Sequence, residues 1–243
     1  MIEKITDTDR LYNSLSGKPD IFSGKIKALA ESYGTGYDFL TFYSNHSGIT
    51  AAKYYNSAVI SGYTDNEEAL SELKSFLPVL GKGTLMSGEL SDRLGVSEGC
   101  KKGCIMKFTD KAPRDNDLSR DNVNNGLTYR EIYDILKDGF DMSFDEWYVD
   151  INHNVRHGIS RIFTVGNFTT ASLMFSVDGI SFISAVATRP EMRGKGWAGR
   201  LVRYIALSET KCRNEAYLIC EESLKGFYEK AGFTLSGNCS TTI

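Results

Sequence analysis

The segment from Ser184 to Tyr204, SAVATRPEMRGKGWAGRLVRY, reads as a strand, a basic glycine-rich turn and the start of an amphipathic helix. The backbone amides of Arg193, Gly194, Lys195, Gly196, Trp197 and Ala198 would converge there at a helix N-terminus, where the peptide dipoles favour an anion. Gly194 and Gly196 let the backbone come close to a ligand, and Arg193 and Lys195 add positive charge. A pyrophosphate suits that geometry. Two familiar phosphate loops do not account for it. A Walker loop needs Gly-Lys followed by Ser or Thr, and Lys195 is followed by Gly196. Gly194, Gly196 and Gly199 satisfy the dinucleotide spacing literally. The strand before them, however, belongs to an antiparallel meander, and no acidic residue follows at the end of a next parallel strand, since Glu215 precedes its strand.

Such a turn needs a strand before it and a helix after it, and the C-terminal half supplies both. Thr128 to Lys137 is expected to be helical with Ile132, Ile135 and Leu136 inward. Ser143 begins a second helix as a capping box closed by Glu146, with Trp147, Ile151 and Val155 on nearly one stripe. Three strands follow, Ser160 to Val165, Thr169 to Val177 and Ile180 to Thr188, the last two joined by the hairpin signal Asp178-Gly179. Gly196 to Leu207 reads as helix, Ala216 to Cys220 as strand, Ser223 to Lys230 as helix and Phe233 to Leu235 as a closing strand.

In the N-terminal half, Lys25 to Ser32 and Asp65 to Leu77 are expected to be helices, the second ended by Pro78 and Gly81. Tyr37 to Tyr43, Ala51 to Ile60 and Thr84 to Met86 read as strands, and Ser87 to Leu94 as a short helix. The stretch Gly99 to Asn125, with Pro113 and a concentration of Asp, Arg and Asn, is the linker candidate. The expected organisation is an α/β domain at residues 1–110, a linker at 111–125 and a second domain at 126–243.

Arg193, Gly196 and Ala198 fit the pattern [QR]-x-x-G-x-[GA], and Phe227 to Phe233 reads FYEKAGF. Two such phrases in this order resemble the coenzyme-A loop and the later tyrosine phrase of the GCN5-related N-acetyltransferase (GNAT) superfamily, firmly over about Ser160 to Phe233. The resemblance implies an α+β fold, a mixed central sheet flanked by helices, the acyl-CoA N-acyltransferase fold. The first half is then either a degenerate GNAT-like copy or an unrelated α/β domain. It further implies acetyl-CoA as cosubstrate, held by Arg193 to Ala198 and by backbone groups of Val186, Ala187 and Thr188, where the strand would splay from Ala216 to Cys220. An amine would attack the thioester directly, and Tyr228, with a phenolic pKa near 10, would protonate the leaving thiolate. Where the family often has an asparagine, seven positions before that tyrosine, this chain has Glu221. Glu221 and Glu222 could hold or deprotonate a cationic acceptor, or serve as ordinary helix-start residues. A noncatalytic acyl-CoA-binding or protein-interaction module is the alternative.

Several side chains have a structural reading beside the chemical one. His153 and His157, four apart, could place a base near neutral pH or simply face solvent. Trp197, Leu201, Tyr204 and Ile205 form a core stripe as readily as a cofactor wall. The aromatic set Tyr33, Tyr37, Phe39, Phe42, Tyr43, Tyr54 and Tyr55 could cover an acceptor cleft or pack between domains.

Composition narrows the classes further. Lys and Arg number 28 against 31 Asp and Glu, a net charge of −3, which disfavours a dedicated nucleic-acid binder. Five cysteines, an odd number in a chain of 243 residues, read as reduced intracellular thiols and point to the cytoplasm. Cys100 and Cys104 have no second pair to complete a zinc site, so no metal is expected. No signal peptide or membrane span is evident, because the weakly charged stretch Ile162 to Thr188 is broken by Gly166, Asn167, Asp178 and Gly179. The acceptor is expected to be a small-molecule or peptide amine. A sheet edge or the aromatic N-terminal surface could support a homodimer.

Overall fold

The computed structural model describes residues 1–111, 117–123, 126–140 and 142–243. The elements in chain order are β1 (Glu3–Ile5), α1 (Thr8–Ser14), α2 (Ile21–Tyr33), β2 (Leu40–Ser44), β3 (Ile49–Tyr54), β4 (Ser57–Gly62), α3 (Glu67–Leu80), β5 (Thr84–Ser87), α4 (Gly88–Arg93) and β6 (Cys100–Phe108). They continue as α5 (Tyr129–Leu136), α6 (Phe144–Arg156), β7 (Arg161–Val165), β8 (Thr169–Val177), β9 (Ile180–Thr188), α7 (Trp197–Lys211), β10 (Glu215–Cys220), α8 (Lys225–Lys230) and β11 (Phe233–Thr242). This is the mixed sheet with flanking helices that the sequence leads one to expect. The chain divides into two units: residues 1–105 with 220–222 and 236–243, and residues 106–219 with 223–235.

In the first unit β1, β2, β3 and β4 form an antiparallel meander, and β5 joins β4 in parallel, Ala58 opposite Thr84 and Val59 opposite Leu85. The crossover is α3, which lays Leu70, Leu73 and Leu80 on Ile49, Ala51, Ile60 and Met86. Residues 239–241 of β11 pair with β5 in antiparallel register, Cys239 opposite Ser87. The C-terminal boundary therefore differs from the expected 126–243, because Phe233 to Leu235 is only the beginning of a ten-residue strand. The predicted single strand Ala51 to Ile60 is instead a hairpin, turning at Tyr55 with φ 52°. The aromatic set packs inside this unit: Tyr33, Tyr37, Phe39, Tyr54 and Tyr55 cluster on one another, Phe42 is buried and Tyr43 meets Phe76.

The second unit repeats this order of parts. β7, β8 and β9 form an antiparallel meander, α7 crosses over, and β10 returns parallel to β9. On one face α5 and α6 bury Ile132, Leu136, Trp147 and Ile151 against Ala185 and Ala187 of β9. Both helices start with capping boxes, Ser143 with Glu146 as read from sequence and Thr128 with Glu131 in addition. On the other face α7 buries Leu201, Val202 and Ile205.

Where it is described, the expected linker is built into the units themselves, residues 99–105 in the first and residues 106–111 and 117–123 in the second. Gly99 to Phe108 is mostly strand, and Asp110 and Asp117 both reach the buried Arg203 of α7, at 2.6 Å and 2.8 Å. The remainder, residues 112–116 and 124–125, lies outside the described residues. Arg203→Met leaves two carboxylates without their cation, so unfolding monitored by denaturant should show a loss of about 2 kcal/mol, moderated by the partial exposure of both aspartates. An Asp110→Asn, Asp117→Asn background should reduce that loss.

Candidate active site

β9 and β10 are hydrogen-bonded only at their beginnings, Glu215 opposite Ile180, Ala216 opposite Ser181 and Tyr217 opposite Phe182. Beyond Phe182 the register with β10 ends while β9 continues beside β8 to Thr188. A bulge marks the departure. Ala185 has φ 51°, and the register with β8 shifts by one residue between Ser184 and Ala187. A bulged strand bends and turns its backbone groups out of the ladder. Val186, Ala187 and Thr188, the strand positions expected to hold a cofactor, are partly exposed at this opening.

The turn after Thr188 is built from the protein's own hydrogen bonds. Arg189 donates its amide to Phe168 O at 2.8 Å and its Nε to Asn167 O at 2.7 Å. Pro190–Met192 forms one 3-10 turn, and Arg193 Nε donates to Thr188 O at 2.9 Å. Gly194 and Gly196 have φ 75° and 78°, left-handed values that glycine adopts without the Cβ penalty. Gly196 is the N-cap of α7 and supplies no side-chain cap. The amide groups of Gly194, Lys195, Gly196, Trp197 and Ala198 meet no acceptor among the described residues. Unpartnered donors at the start of a fifteen-residue helix, with Arg193 and Lys195 exposed alongside, have the donor arrangement and charge that suit an anion.

The matching position in the first unit shows what such a site must avoid. There Asn66 caps α3 by accepting the Ala69 amide at 3.0 Å, Thr64 Oγ1 accepts the Asn66 amide at 3.2 Å, and Glu67 and Glu68 occupy the first turn. The donors are partly used and the local charge is negative. An anion has no place at α3, as the absence of a glycine turn there implies.

Sequence reasoning missed Arg200. Its guanidinium lies 3.9 Å from the Trp197 ring centre and donates through Nη2 to Lys195 O at 3.0 Å, bracing the turn from the first turn of α7. The signal was its place four residues after the capping glycine. Trp197 divides the two readings offered for it: Leu201 and Ile205 are fully buried, whereas Trp197 is half-buried against Phe168, its indole Nε1 shielded and without a partner among the described residues.

Tyr228 is buried on α8 between Phe227 and Phe233. Its helix docks on the beginning of α7, where Gly199 leaves room: a Cβ there would stand 3.8 Å from the Phe227 ring. Glu221 belongs to the first unit, is exposed and pairs with Lys101 at 2.8 Å. That hydrogen bond and the charge of Lys101 hold its carboxyl below the usual carboxylate value, which opposes the proton-accepting role expected of it. Glu222 hydrogen-bonds to Cys104 in the same unit. His153 and His157 stack at 4.0 Å on the outer part of α6, with His157 Nδ1 on His153 O at 2.9 Å. No metal-binding group of His, Cys, Asp and Glu exists among the described residues, and no helix is long and apolar enough to cross a membrane.

Strain at Gly196 offers a direct test of the turn. Gly196→Val has space, since the nearest atom to its Cβ is Arg200 Nε at 4.0 Å, but it disfavours the left-handed backbone. Strain at this position disfavours the turn that presents the amides to a pyrophosphate. Calorimetry should therefore show acetyl-CoA affinity falling about tenfold, with little change in the melting midpoint.

Residues 150–235 match the acetyltransferase (GNAT) domain family model. No curated protein matches the sequence. Among solved structures the chain is similar to an acetyltransferase of the GNAT family from Colwellia psychrerythraea, at 10% identity, TM-score 0.62 and coverage of 99% of this chain and 98% of that one. A GCN5-related N-acetyltransferase from Sphaerobacter thermophilus is similar at 15% identity, TM-score 0.60 and coverage of 99% and 93%. A tandem GNAT protein from the clavulanic acid biosynthesis pathway is similar at 8% identity, TM-score 0.60 and coverage of 99% and 97%.

Proposed function

We propose that the protein, whose residues 150–235 match the acetyltransferase (GNAT) domain model, transfers an acetyl group from acetyl-CoA to an amine of a small molecule or peptide. The observation that carries this reading is the run of unpartnered amides at Gly194 to Ala198 beside the place where β9 leaves β10. The site's chemistry fits the cosubstrate: amide donors and two cations for a pyrophosphate, and a bulged strand edge with unused backbone groups for an amide-bearing arm. Arg193, Gly194, Lys195, Gly196, Trp197 and Ala198 would hold the pyrophosphate, and Val186, Ala187 and Thr188 the arm. Bound acetyl-CoA supplies the activated acyl group and a thiolate leaving group.

The chain's own task is to orient two reactants and to manage protons. Tyr228 donates its phenolic proton to the departing sulfur and regains one from solvent. The first unit acts as a degenerate copy of the same fold that no longer binds a nucleotide, and the near-neutral charge favours neither nucleic acid nor a membrane surface as partner. A cytoplasmic setting suits the five free cysteines. Purified protein, acetyl-CoA and a broad amine panel, with release of free coenzyme A thiol as readout, test the proposal. Saturable acetyl-CoA binding with no thiol release from any amine would instead support the noncatalytic module, a reading favoured by the engagement of Glu221 with Lys101.

A further inference from the structure

One peptide plane of the cofactor turn is held by a side chain from the helix that follows. Lys195 O accepts Arg200 Nη2 at 3.0 Å, and the Arg200 guanidinium lies 3.9 Å from the Trp197 ring centre. Helical side chains lean toward the helix N-terminus, so a residue in the first turn of α7 reaches the segment before its cap. Two other arginines pin carbonyls ahead of the turn, Arg189 Nε on Asn167 O at 2.7 Å and Arg193 Nε on Thr188 O at 2.9 Å. Arg200 fastens a carbonyl inside it, between the left-handed Gly194 and Gly196. None of the three guanidiniums pairs with a carboxylate among the described residues.

The consequence lies in the geometry of the peptide unit. A trans peptide directs its C=O and its N–H to opposite sides, and the described peptide bonds are trans. Drawing Lys195 O toward Arg200 therefore turns the Gly196 amide the other way, to the side where it meets no acceptor among the described residues. With the same plane flipped, a carbonyl oxygen would face the incoming phosphate in place of a donor. Glycine makes that flip easy, because it changes ψ of Lys195 and φ of Gly196, and glycine takes φ of either sign. The observed φ of 78° is thus not enforced by Gly196 itself. The Arg200 hydrogen bond selects it.

We infer that Arg200 is a positioning residue for the cosubstrate: by holding Lys195 O it presents the Gly196 amide to the pyrophosphate, acting through the turn and not on the ligand. This role rests on the acetyl-CoA reading of the site. Calorimetry on the full chain with acetyl-CoA, and with acetyl-dephospho-CoA, which lacks the 3′-phosphate, tests it. Arg200→Ala should weaken both ligands alike, by about tenfold, as expected for loss of a charge-assisted hydrogen bond. Arg200→Met, which keeps a long side chain over Trp197 but has no donor, should do the same. In turnover, KM for acetyl-CoA should rise with kcat at saturation held within about twofold, the opposite of a lost proton donor. Combined with Gly196→Val, the loss should fall well short of the product of the two single losses, because both changes act on one peptide plane.

The outcomes separate cleanly. Unchanged affinity in Arg200→Ala or Arg200→Met overturns the inference. So does a loss seen with acetyl-CoA and absent with acetyl-dephospho-CoA, which would make Arg200 a direct partner of the 3′-phosphate, and so do losses that multiply in full with Gly196→Val. Each of those results leaves the acetyl-transfer reading standing. If the unaltered, folded chain binds neither ligand, that reading fails and the positioning role falls with it.

Discussion

Tyr228→Phe should leave acetyl-CoA affinity within about twofold of the unaltered protein while lowering kcat by about 100-fold or more, the usual contribution of a positioned general acid. The two effects separate because the groups assigned to cofactor binding are backbone amides of Gly194 to Ala198, which this substitution does not touch. The ring itself remains. Tyr228 packs edge-on against Phe227 and Phe233 and is 7% exposed, so phenylalanine fills the same space. Loss of one hydroxyl should cost no more than about 1 kcal/mol in stability, which a melting curve distinguishes from a folding defect. An unchanged kcat with the most active amine would remove Tyr228 from the acid role. A parallel fall in kcat and affinity would mean that the hydroxyl shapes the cleft instead.

The parts of the molecule legible in the sequence are those fixed by neighbours in the chain. Ser143 with Glu146 announces a helix start because the bonds span three residues, and Asp178-Gly179 announces a hairpin because Asp178, at φ 51°, and Gly179 take the required left-handed turn. The turn at Gly194 and Gly196 is legible for the same reason. What was hidden depends on distant partners. Cys100 to Phe108, CKKGCIMKF, has lysines and a glycine that argue against a strand, and it becomes one because sheet neighbours on both sides satisfy its backbone. α3 runs past Pro78 to Leu80, burying Leu80 completely, so packing overrides the local stop signal. The hairpin at Tyr55 was masked by the aromatic character of its turn, whose ring stacks on Phe39. Glu221 was placed at the site by its position seven before Tyr228, where the resembled family often has asparagine, whereas it pairs with Lys101, far earlier in the chain.

The cofactor turn also depends on the opposite end of α7, where sequence offered no clue. Glu209 is buried there, accepting from Ser181 at 2.6 Å, Ser176 at 2.9 Å and Asn214 at 3.0 Å, and pairing with Arg161. These partners come from β7, the β8–β9 hairpin and the loop before β10, so one carboxylate fastens the helix to the strands that carry the bulge. Removing one member of a buried charged network leaves its partners desolvated and unmatched, at a cost of about 3–5 kcal/mol. Glu209→Ala should therefore lower the melting midpoint of the second unit by about 10 °C, detectable by calorimetry.

The pH dependence follows from the same contacts. Burial alone would raise the Glu209 pKa, but the hydrogen bonds from Ser181, Asn214 and Ser176 and the charge of Arg161 outweigh it, and the net shift is below 4.5. A depressed folded-state pKa stabilises the fold above the unfolded value, and that stabilisation disappears as the pH falls through the folded one. The unaltered protein should lose stability in that acid range more steeply than Glu209→Gln, which carries no titrating group at this position. If the two variants melt in parallel from neutral pH down through pH values below 4.5, Glu209 does not hold its charge in the fold and the anchoring of α7 rests on its apolar face alone.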